Sequence, residues 1–198
     1  QCTQTLEYFR THKIPLVDLG LGDHNLPIQR VVTDNETIGR LAAEHFRDHG
    51  YKEVFALTAD GIKMYEERLQ AFITHMEADG GKVTVFDSAG RTESKVMQEL
   101  HELAKAQGRK MEELSVGFFA FQDTAAAEMI SICLKNNLRV PENIAVLGVD
   151  NDDLVNQGLS VGLSSVDSDQ EGLGLTAART LQKLLDSNSK RSTDSILR

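Results

Sequence analysis

A short apolar segment in the second half of the chain ends abruptly in polar side chains. Residues 144–149 contain one glycine and no charged residue, and they follow the turn-forming sequence Val-Pro-Glu-Asn at 140–143. An uncharged run of this length is typical of a strand buried on both faces, as in a parallel sheet. Asp150 and Asn151 follow it directly. Because ligands of open α/β sheets lie beyond the carboxyl ends of the strands, both residues are candidate ligand contacts.

The chemistry of these two side chains suits a polyol. Carboxylate and amide oxygens accept hydrogen bonds from hydroxyl groups and can fix the orientation of a sugar in a pocket. The alternative is that Asp150 and Asn151 only form a turn or cap the next segment.

Strands and helices alternate between Val54 and Val149. Hydrophobic periodicity predicts strands at 54–58, 83–86, 116–121 and 144–149, and helices at 64–79, 92–107 and 124–136. This order predicts right-handed βαβ crossovers and a parallel sheet covered on both faces. We therefore expect an α/β fold.

The rest of the chain lies outside this alternating unit. It includes a predicted strand at 14–19, an extended stretch at 29–33, and helices at 36–49 and 169–185. We expect residues 1–53 and 168–198 to form an N-terminal lobe and residues 54–167 a C-terminal lobe. The polar tail at 187–195 is expected to be flexible.

Polar side chains follow the predicted strands at the edge where their carboxyl ends meet. These are Asp60, Asp87 and the pair Gln122–Asp123, and Arg68 lies in the first turns of the helix that follows Asp60. A guanidinium group facing carboxylates and amides suits the vicinal hydroxyls of a sugar. Two alternatives remain, since Asp123 could be the N-cap of its helix and Arg68 a solvated helix charge.

Composition excludes several classes of partner. The 198 residues carry a net charge of −9, which opposes binding to DNA phosphates or to an anionic membrane surface. Cys2 and Cys133 lie far apart, which fits a reducing compartment, and no apolar run approaches transmembrane length. We therefore expect a cytoplasmic chain with no membrane partner and no DNA contact of its own.

No pattern for catalysis, a cofactor or a metal stands out. The chain has no phosphate-binding loop, no nucleophile elbow and no zinc-protease motif, so we expect neither an enzyme nor a cofactor. His45 and His49 have the i,i+4 spacing of metal ligands, but no third ligand is evident. A packed His45 and an exposed His49 are the expectation, with no metal site.

Several stretches carry a collinear likeness to one known family. They are 14–17, 32–35, 39–46, 67–69, 140–151, 163–166 and 177–185. Together they resemble the effector-binding domains of lac/gal repressor-type transcription regulators, over essentially the whole chain. The sequence at 150–152 and the Leu-Ser-Ser-Val at 163–166 resemble most closely the xylose operon regulators. In those proteins such a domain precedes an AraC-type helix-turn-helix domain.

The resemblance implies a fold and a site. It implies two Rossmann-like parallel-sheet lobes of the periplasmic-binding-protein-like type I, joined by three crossovers, with an effector in the cleft. The first lobe is expected to be incomplete, because this chain starts after the family's first strand–helix–strand–helix segment. The resemblance places effector contacts at Arg68, Asp150 and Gln122, beside Asp123. With Asn151 from the strand ends, the expected effector-binding residues are Arg68, Gln122, Asp123, Asp150 and Asn151.

Two positions depart from the family pattern. The family commonly has Asn where this chain has Gln122, which affects the identity of the effector. It usually has Gly where this chain has Ala71, which we interpret as a packing variation.

The function implied by the resemblance is sensing. We expect a ligand-sensing domain of a sugar-responsive transcription regulator, with xylose as the effector and a homodimer as the assembly. DNA would be bound only through a helix-turn-helix domain outside this chain. The competing interpretation is a periplasmic sugar-binding protein of a transport system, and a third class is an enzyme of doubly wound fold.

Overall fold

The structure is a computed structural model that describes residues 2–20, 28–57, 61–86 and 92–186. Several predicted features lie outside these residues. They are the strand end at 58, the candidate site residues Asp60 and Asp87, and the polar tail at 187–195.

Helices and strands alternate along most of the described chain. The helices are α1 Cys2–Thr11, α2 Asn35–Asp48, α3 Lys63–Ala78, α4 Glu93–Ala106, α5 Asp123–Lys135, α6 Asp153–Gln157 and α7 Gln170–Asp186. The strands are β1 Val17–Asp18, β2 Gln29–Arg30, β3 Glu53–Leu57, β4 Lys82–Phe86, β5 Val116–Phe119, β6 Ile144–Val149 and β7 Ser164–Val166. A single 3₁₀ turn, Met111–Glu113, precedes β5 within this part of the chain.

The chain divides into two compact units. Unit 1 comprises Gln1–Asp34 and Asp169–Arg198, and unit 2 comprises Asn35–Ser168. In unit 1, β1 and β2 pair in parallel, and α7 contacts β1. Unit 2 contains a five-stranded sheet in the order β4-β3-β5-β6-β7, in which every neighbouring pair is parallel. The predicted α/β fold with parallel sheets is therefore confirmed.

Both faces of the large sheet are covered, because successive side chains of a strand point to opposite faces. One face packs with α4 and α5 and includes Phe55, Leu57, Phe118 and Val146. The other face packs with α2 and α3 and includes Val54, Ala56, Phe119 and Leu147. Strands buried on two sides read in the sequence as continuous apolar runs, which is why β6 was predicted with its observed bounds.

Helix α2 belongs to unit 2, whereas we expected this segment in the N-terminal lobe. Its side chains Ile38, Ala42 and Phe46 are buried in the same apolar cluster as Phe72 and Phe119. This burial against α3 and the sheet explains why residues 35–53 join unit 2. Sequence order alone could not show it, since α2 precedes the first strand of the sheet.

Other differences concern short elements. The strand predicted at 14–19 is confined to Val17–Asp18, and the short β7 and α6 were not predicted as elements. No helix in the described residues is both long enough and apolar enough to span a membrane.

Helices α2 and α3 are in backbone contact at Gly39. A Cβ atom at this position would lie 2.6 Å from the carbonyl oxygen of Arg68, 2.6 Å from the amide nitrogen of Phe72 and 2.6 Å from the Cβ of Ala71. The alanine at position 71, where the resembled family has glycine, is accommodated because its partner in α2 has no side chain.

We expect Gly39→Ala to destabilise the protein. The added methyl group would meet backbone atoms that cannot turn aside, and overpacking of this kind lowers the free energy of unfolding by roughly 1–3 kcal/mol. Urea unfolding followed by circular dichroism measures the change. As a matched control, Gly174→Ala in α7 places its methyl in open space and should be neutral or stabilising by about 0.5–1 kcal/mol. Equal effects of the two substitutions would contradict this interpretation.

Candidate functional site

The predicted site residues lie at the carboxyl edge of the five-stranded sheet. From β3 the chain proceeds to β4 on one side of β3, whereas β5, β6 and β7 follow on the other side. The order of the strands therefore reverses between β3 and β5, and in open α/β sheets ligands bind at such a point. Gln122 and Asp150 follow the ends of β5 and β6 there.

Arg68 is the most completely buried charged group in the described residues, with a relative exposure of 0%. Its Nε donates to Oδ1 of Asn35 at 3.0 Å, and its Nη1 donates to the carbonyl oxygen of Phe121 at 2.8 Å. Nη1 also lies 3.5 Å from Oδ1 of Asp150, which makes a long ion pair. Its Nη2 has no hydrogen-bond partner among the described residues. Burial lowers the pKa of Arg68, and the charge of Asp150 opposes that shift.

Asp150 has a strained backbone and a reachable carboxylate. Its φ is +104°, and that of Asn151 is +53°, which is uncommon for residues with a side chain. Such strain persists only where the surroundings enforce it, and it concentrates at functional sites. The side chain of Asp150 is 26% exposed, and its Oδ1 accepts a hydrogen bond from Oγ of Ser168 at 2.9 Å.

Hydrogen bonds from three successive backbone amides hold this strained loop. The amide of Asp150 donates to the carbonyl of Val166 at 2.9 Å, and the amide of Asn151 donates to Oγ of Ser165 at 2.9 Å. The amide of Asp152 donates to Oδ2 of Asp123 at 2.7 Å. The loop is therefore tied to β7 and to the start of α5.

Asp123 supports the loop through both of its carboxylate oxygens. Its Oδ1 accepts from Oγ of Ser165 at 2.7 Å, while its Oδ2 receives the amide of Asp152. The carboxylate lies directly over Gly148, where a Cβ would be 2.1 Å from Oδ1 of Asp123. Burial raises the pKa of Asp123, and its hydrogen bonds from Ser165 and Asp152 oppose that shift.

Neither sequence alternative for Asp123 describes this arrangement fully. The N-cap of α5 is Gln122, and Asp123 is the first residue of the helix. The described structure gives the Asp123 carboxylate a loop-supporting role, and its part in effector binding stays a prediction.

Gln122 joins the site through a tyrosine. The hydroxyl of Tyr65 donates to Oε1 of Gln122 at 2.8 Å, and the Tyr65 ring stacks on Phe121 with centroids 4.5 Å apart. The guanidinium carbon of Arg68 lies 5.5 Å from the centroid of the same ring. Burial raises the pKa of Tyr65, with a further contribution from Asp150 that Arg68 opposes.

Asn151 lies at the margin of this arrangement. Its side chain is exposed, and its Nδ2 donates to Oδ2 of Asp167 at 3.4 Å. Arg68, Gln122 and Asp150 thus lie together around Tyr65 and Phe121. Asn151 contributes to the turn, and its backbone amide donates to Oγ of Ser165.

Three contacting side chains were missed from the sequence. Tyr65 lies three residues before Arg68, a spacing that places both on one helix face. Asn35 holds Arg68 and also donates to Oε2 of Glu67 at 2.9 Å. Ser168 follows β7, and recognising that short strand would have put it at the same sheet edge as Asp150.

The structure gives no support to a metal site at the histidine pair. The ring centroids of His45 and His49 lie 4.4 Å apart, and the described residues contain no group of three or more His, Cys, Asp or Glu that could hold a metal ion. Burial and the neighbouring His49 lower the pKa of His45. A small pocket of about 100 Å³ lies at the opposite edge of the sheet, lined by residues such as Tyr51, Lys52 and His75. It contains none of the predicted site residues.

Comparison with known proteins identifies the family. Residues 43–197 match the periplasmic binding protein-like domain. The chain belongs to this family. The membership agrees with the parallel α/β fold of unit 2.

Relatives of this periplasmic binding protein-like domain include curated regulators. One is the xylose operon regulatory protein of Haemophilus influenzae, 25% identical over 92% of this chain and 49% of that protein. Another is the HTH-type transcriptional repressor PurR of Photobacterium profundum, 30% identical over 92% of this chain and 54% of that protein. The chain therefore spans about half the length of these relatives.

A solved structure shows the same fold. The periplasmic binding protein/LacI transcriptional regulator of Alkaliphilus metalliredigens, complexed with D-xylulofuranose, superposes with a TM-score of 0.74 at 19% identity. The match covers 95% of this chain and 76% of that one. None of these three relatives is named as an AraC-type regulator, so they give no support to the AraC-type DNA-binding domain that we expected. The relative of known structure is named as a LacI transcriptional regulator.

We expect Asp123→Ala to loosen the loop after β6, whereas Asp123→Asn should be milder. Alanine removes both acceptors, and the amide of Asp152 and the hydroxyl of Ser165 lose partly buried hydrogen bonds, each with a net value of roughly 0.5–1.5 kcal/mol. Asparagine keeps one acceptor for the amide of Asp152, and its Nδ2 can donate to the Ser165 hydroxyl. Urea unfolding of both variants measures the difference. Equal losses would contradict the role assigned to the two hydrogen bonds.

The raised pKa of Asp123 predicts a pH dependence with a definite sign. Just above the ordinary aspartate pKa, the folded state retains a proton that the unfolded state has lost, so the contribution of Asp123 to stability falls as pH rises through this window. Asp123→Asn has no titrating group at this position. The free energy of unfolding of the wild type minus that of Asp123→Asn should therefore decrease from about pH 4 upward. A difference that is flat or increases would refute the shift.

Proposed function

We propose that this chain is the effector-binding domain of a sugar-responsive transcription regulator. The observation that carries the proposal is the buried Arg68, whose Nη2 has no partner among the described residues, beside the partly exposed carboxylate of Asp150. A buried donor without a partner is rare in folded proteins and calls for an explanation; we propose a ligand hydroxyl that reaches Nη2 in a second conformation of the domain.

The chemistry of the group fits a neutral polyol. A sugar hydroxyl can accept a hydrogen bond from Arg68 and donate one to Asp150, and the amide of Gln122 adds a further polar contact. The positive charge of Arg68 lies 3.5 Å from the negative charge of Asp150, so the pair requires no counter-charge from the ligand. An anionic effector would be opposed by Asp150.

The relatives support the class of effector. One is a xylose operon regulatory protein, and the solved relative is complexed with D-xylulofuranose, a pentulose. We propose a pentose as the effector of this chain, with xylose as the first candidate.

In the proposed mechanism the sugar binds one conformation of the domain more tightly than another and shifts the equilibrium between them. The shift would act on a helix-turn-helix domain outside this chain, for which the LacI type is the better supported, in a cytoplasmic homodimer. We propose no enzymatic role. The names of the curated relatives favour regulation over the alternative of a transport-associated binding protein.

Titration calorimetry of the intact protein against pentoses and hexoses, including D-xylose, tests the proposal. We expect one sugar to bind. Arg68→Met and Asp150→Asn should each weaken that binding by at least about tenfold, because a hydrogen bond to a charged group contributes roughly 1.5–3 kcal/mol.

Arg40→Met and Asp153→Asn are the matched controls, since Arg40 pairs with Glu44 on α2 and Asp153 is an exposed residue at the start of α6. Both should leave the affinity unchanged. Binding of a nucleoside or a phosphosugar in place of every free sugar would overturn the proposed effector class. Sugar binding that survives both site substitutions would show that the site lies elsewhere.

A further inference from the structure

We propose that Tyr65 is a specificity-determining residue that fixes the side-chain amide of Gln122, so that its NH₂ group and not its carbonyl faces a ligand. The consequence for the effector rests on the proposed function. The arrangement of Tyr65 and Gln122 does not, and it can be tested without any ligand.

The hydroxyl of Tyr65 has a well-defined position. The ring stacks on Phe121 at an interplanar angle of 28°, and the guanidinium group of Arg68 lies over the ring at 5.5 Å. Contacts with both partners restrict the ring, since a tyrosine side chain has only two rotatable bonds before its hydroxyl. The hydroxyl then lies 2.8 Å from Oε1 of Gln122.

The direction of this hydrogen bond follows from the available partners. Within the described residues, Oε1 of Gln122 is the acceptor for the Tyr65 hydroxyl. Turning the amide over would present an NH₂ group to the hydroxyl and leave the hydroxyl proton without that acceptor. Burial and the charge of Asp150 raise the pKa of Tyr65, so the hydroxyl keeps its proton at neutral pH and remains a donor.

Because of the hydrogen bond from Tyr65, the NH₂ group of Gln122 is the part of the amide that remains available to a ligand. Its carbonyl oxygen is engaged by Tyr65, and no hydrogen bond from its Nε2 to another described residue is present. An amide in free rotation can present either a donor or an acceptor, but a fixed one presents a donor. Gln122 therefore selects a ligand with an acceptor at this point, such as a sugar oxygen, while the carboxylate of Asp150 supplies an acceptor.

Helix α3 supplies both fixing contacts. Arg68 holds the carbonyl of Phe121, which is the residue before Gln122, and Tyr65 holds the Gln122 side chain. Because Tyr65 and Arg68 are three residues apart on the same helix, the backbone and the side chain at the end of β5 are positioned by one rigid element.

The first arm of the test needs no ligand. In the intact protein, labelled with ¹⁵N, Tyr65→Phe removes the hydroxyl and keeps the ring that stacks on Phe121. We expect the two side-chain NH₂ resonances of Gln122, assigned with Gln122→Leu, to be distinct in the wild type and to move towards free-amide positions in Tyr65→Phe. Tyr51→Phe, which removes a hydroxyl at the other edge of the sheet, is the matched control and should leave them unchanged.

The second arm measures binding of the sugar identified by titration, or of D-xylose, in a double-mutant cycle. Tyr65→Phe should weaken binding roughly two- to tenfold in the wild-type background, the effect of about one hydrogen bond. It should have no further effect in Gln122→Leu, because the hydroxyl acts only through the amide.

Each outcome of the two experiments either supports the inference or overturns it. Unchanged Gln122 resonances in Tyr65→Phe would overturn it, whatever the protein binds. Additive losses in the double-mutant cycle would overturn the assignment of Tyr65 as a positioning residue for Gln122. Altered resonances in a protein that binds no sugar would uphold the fixed amide and reject the proposed function instead.

Discussion

The buried guanidinium of Arg68 is the constraint on which the site depends. A charge withdrawn from water is tolerated only when hydrogen bonds and an opposite charge surround it. Asn35 at the start of α2, the carbonyl of Phe121 after β5 and Asp150 after β6 supply these partners. The ends of three separate elements must therefore meet at one side chain, which couples the packing of unit 2 to the geometry of the site.

Local sequence patterns were sufficient to predict the central part of the fold. The uncharged run at 144–149 became β6 with its predicted bounds, because burial on both faces leaves an unbroken apolar signal. The same reasoning placed Arg68, Gln122 and Asp150 at one edge of the sheet. The partnership of Tyr65 with Gln122, residues 57 positions apart in sequence, has no local signature and could be seen only in three dimensions.

Two features differ from what the sequence order suggests, because packing decides them. Helix α2 precedes the first strand of the large sheet but buries Ile38 and Phe46 against it. The carboxylate of Asp123 does not cap its own helix but supports the loop after β6, and its part in effector binding stays a prediction. That orientation is possible because residue 148 has no side chain, and a glycine within an apolar run does not reveal which neighbour occupies the space it leaves.

The first and last residues of unit 2 both contact the Arg68–Asp150 pair. Asn35, which holds Arg68, is the first residue of this unit, and Ser168, which holds Asp150, is its last. The chain thus enters unit 2 at Asn35 and leaves it at Ser168, and the side chains of both residues form hydrogen bonds with this ion pair. The first and last residues of unit 2 are therefore fixed through one ion pair, so replacing Arg68 or Asp150 removes a side-chain contact at one end of the unit.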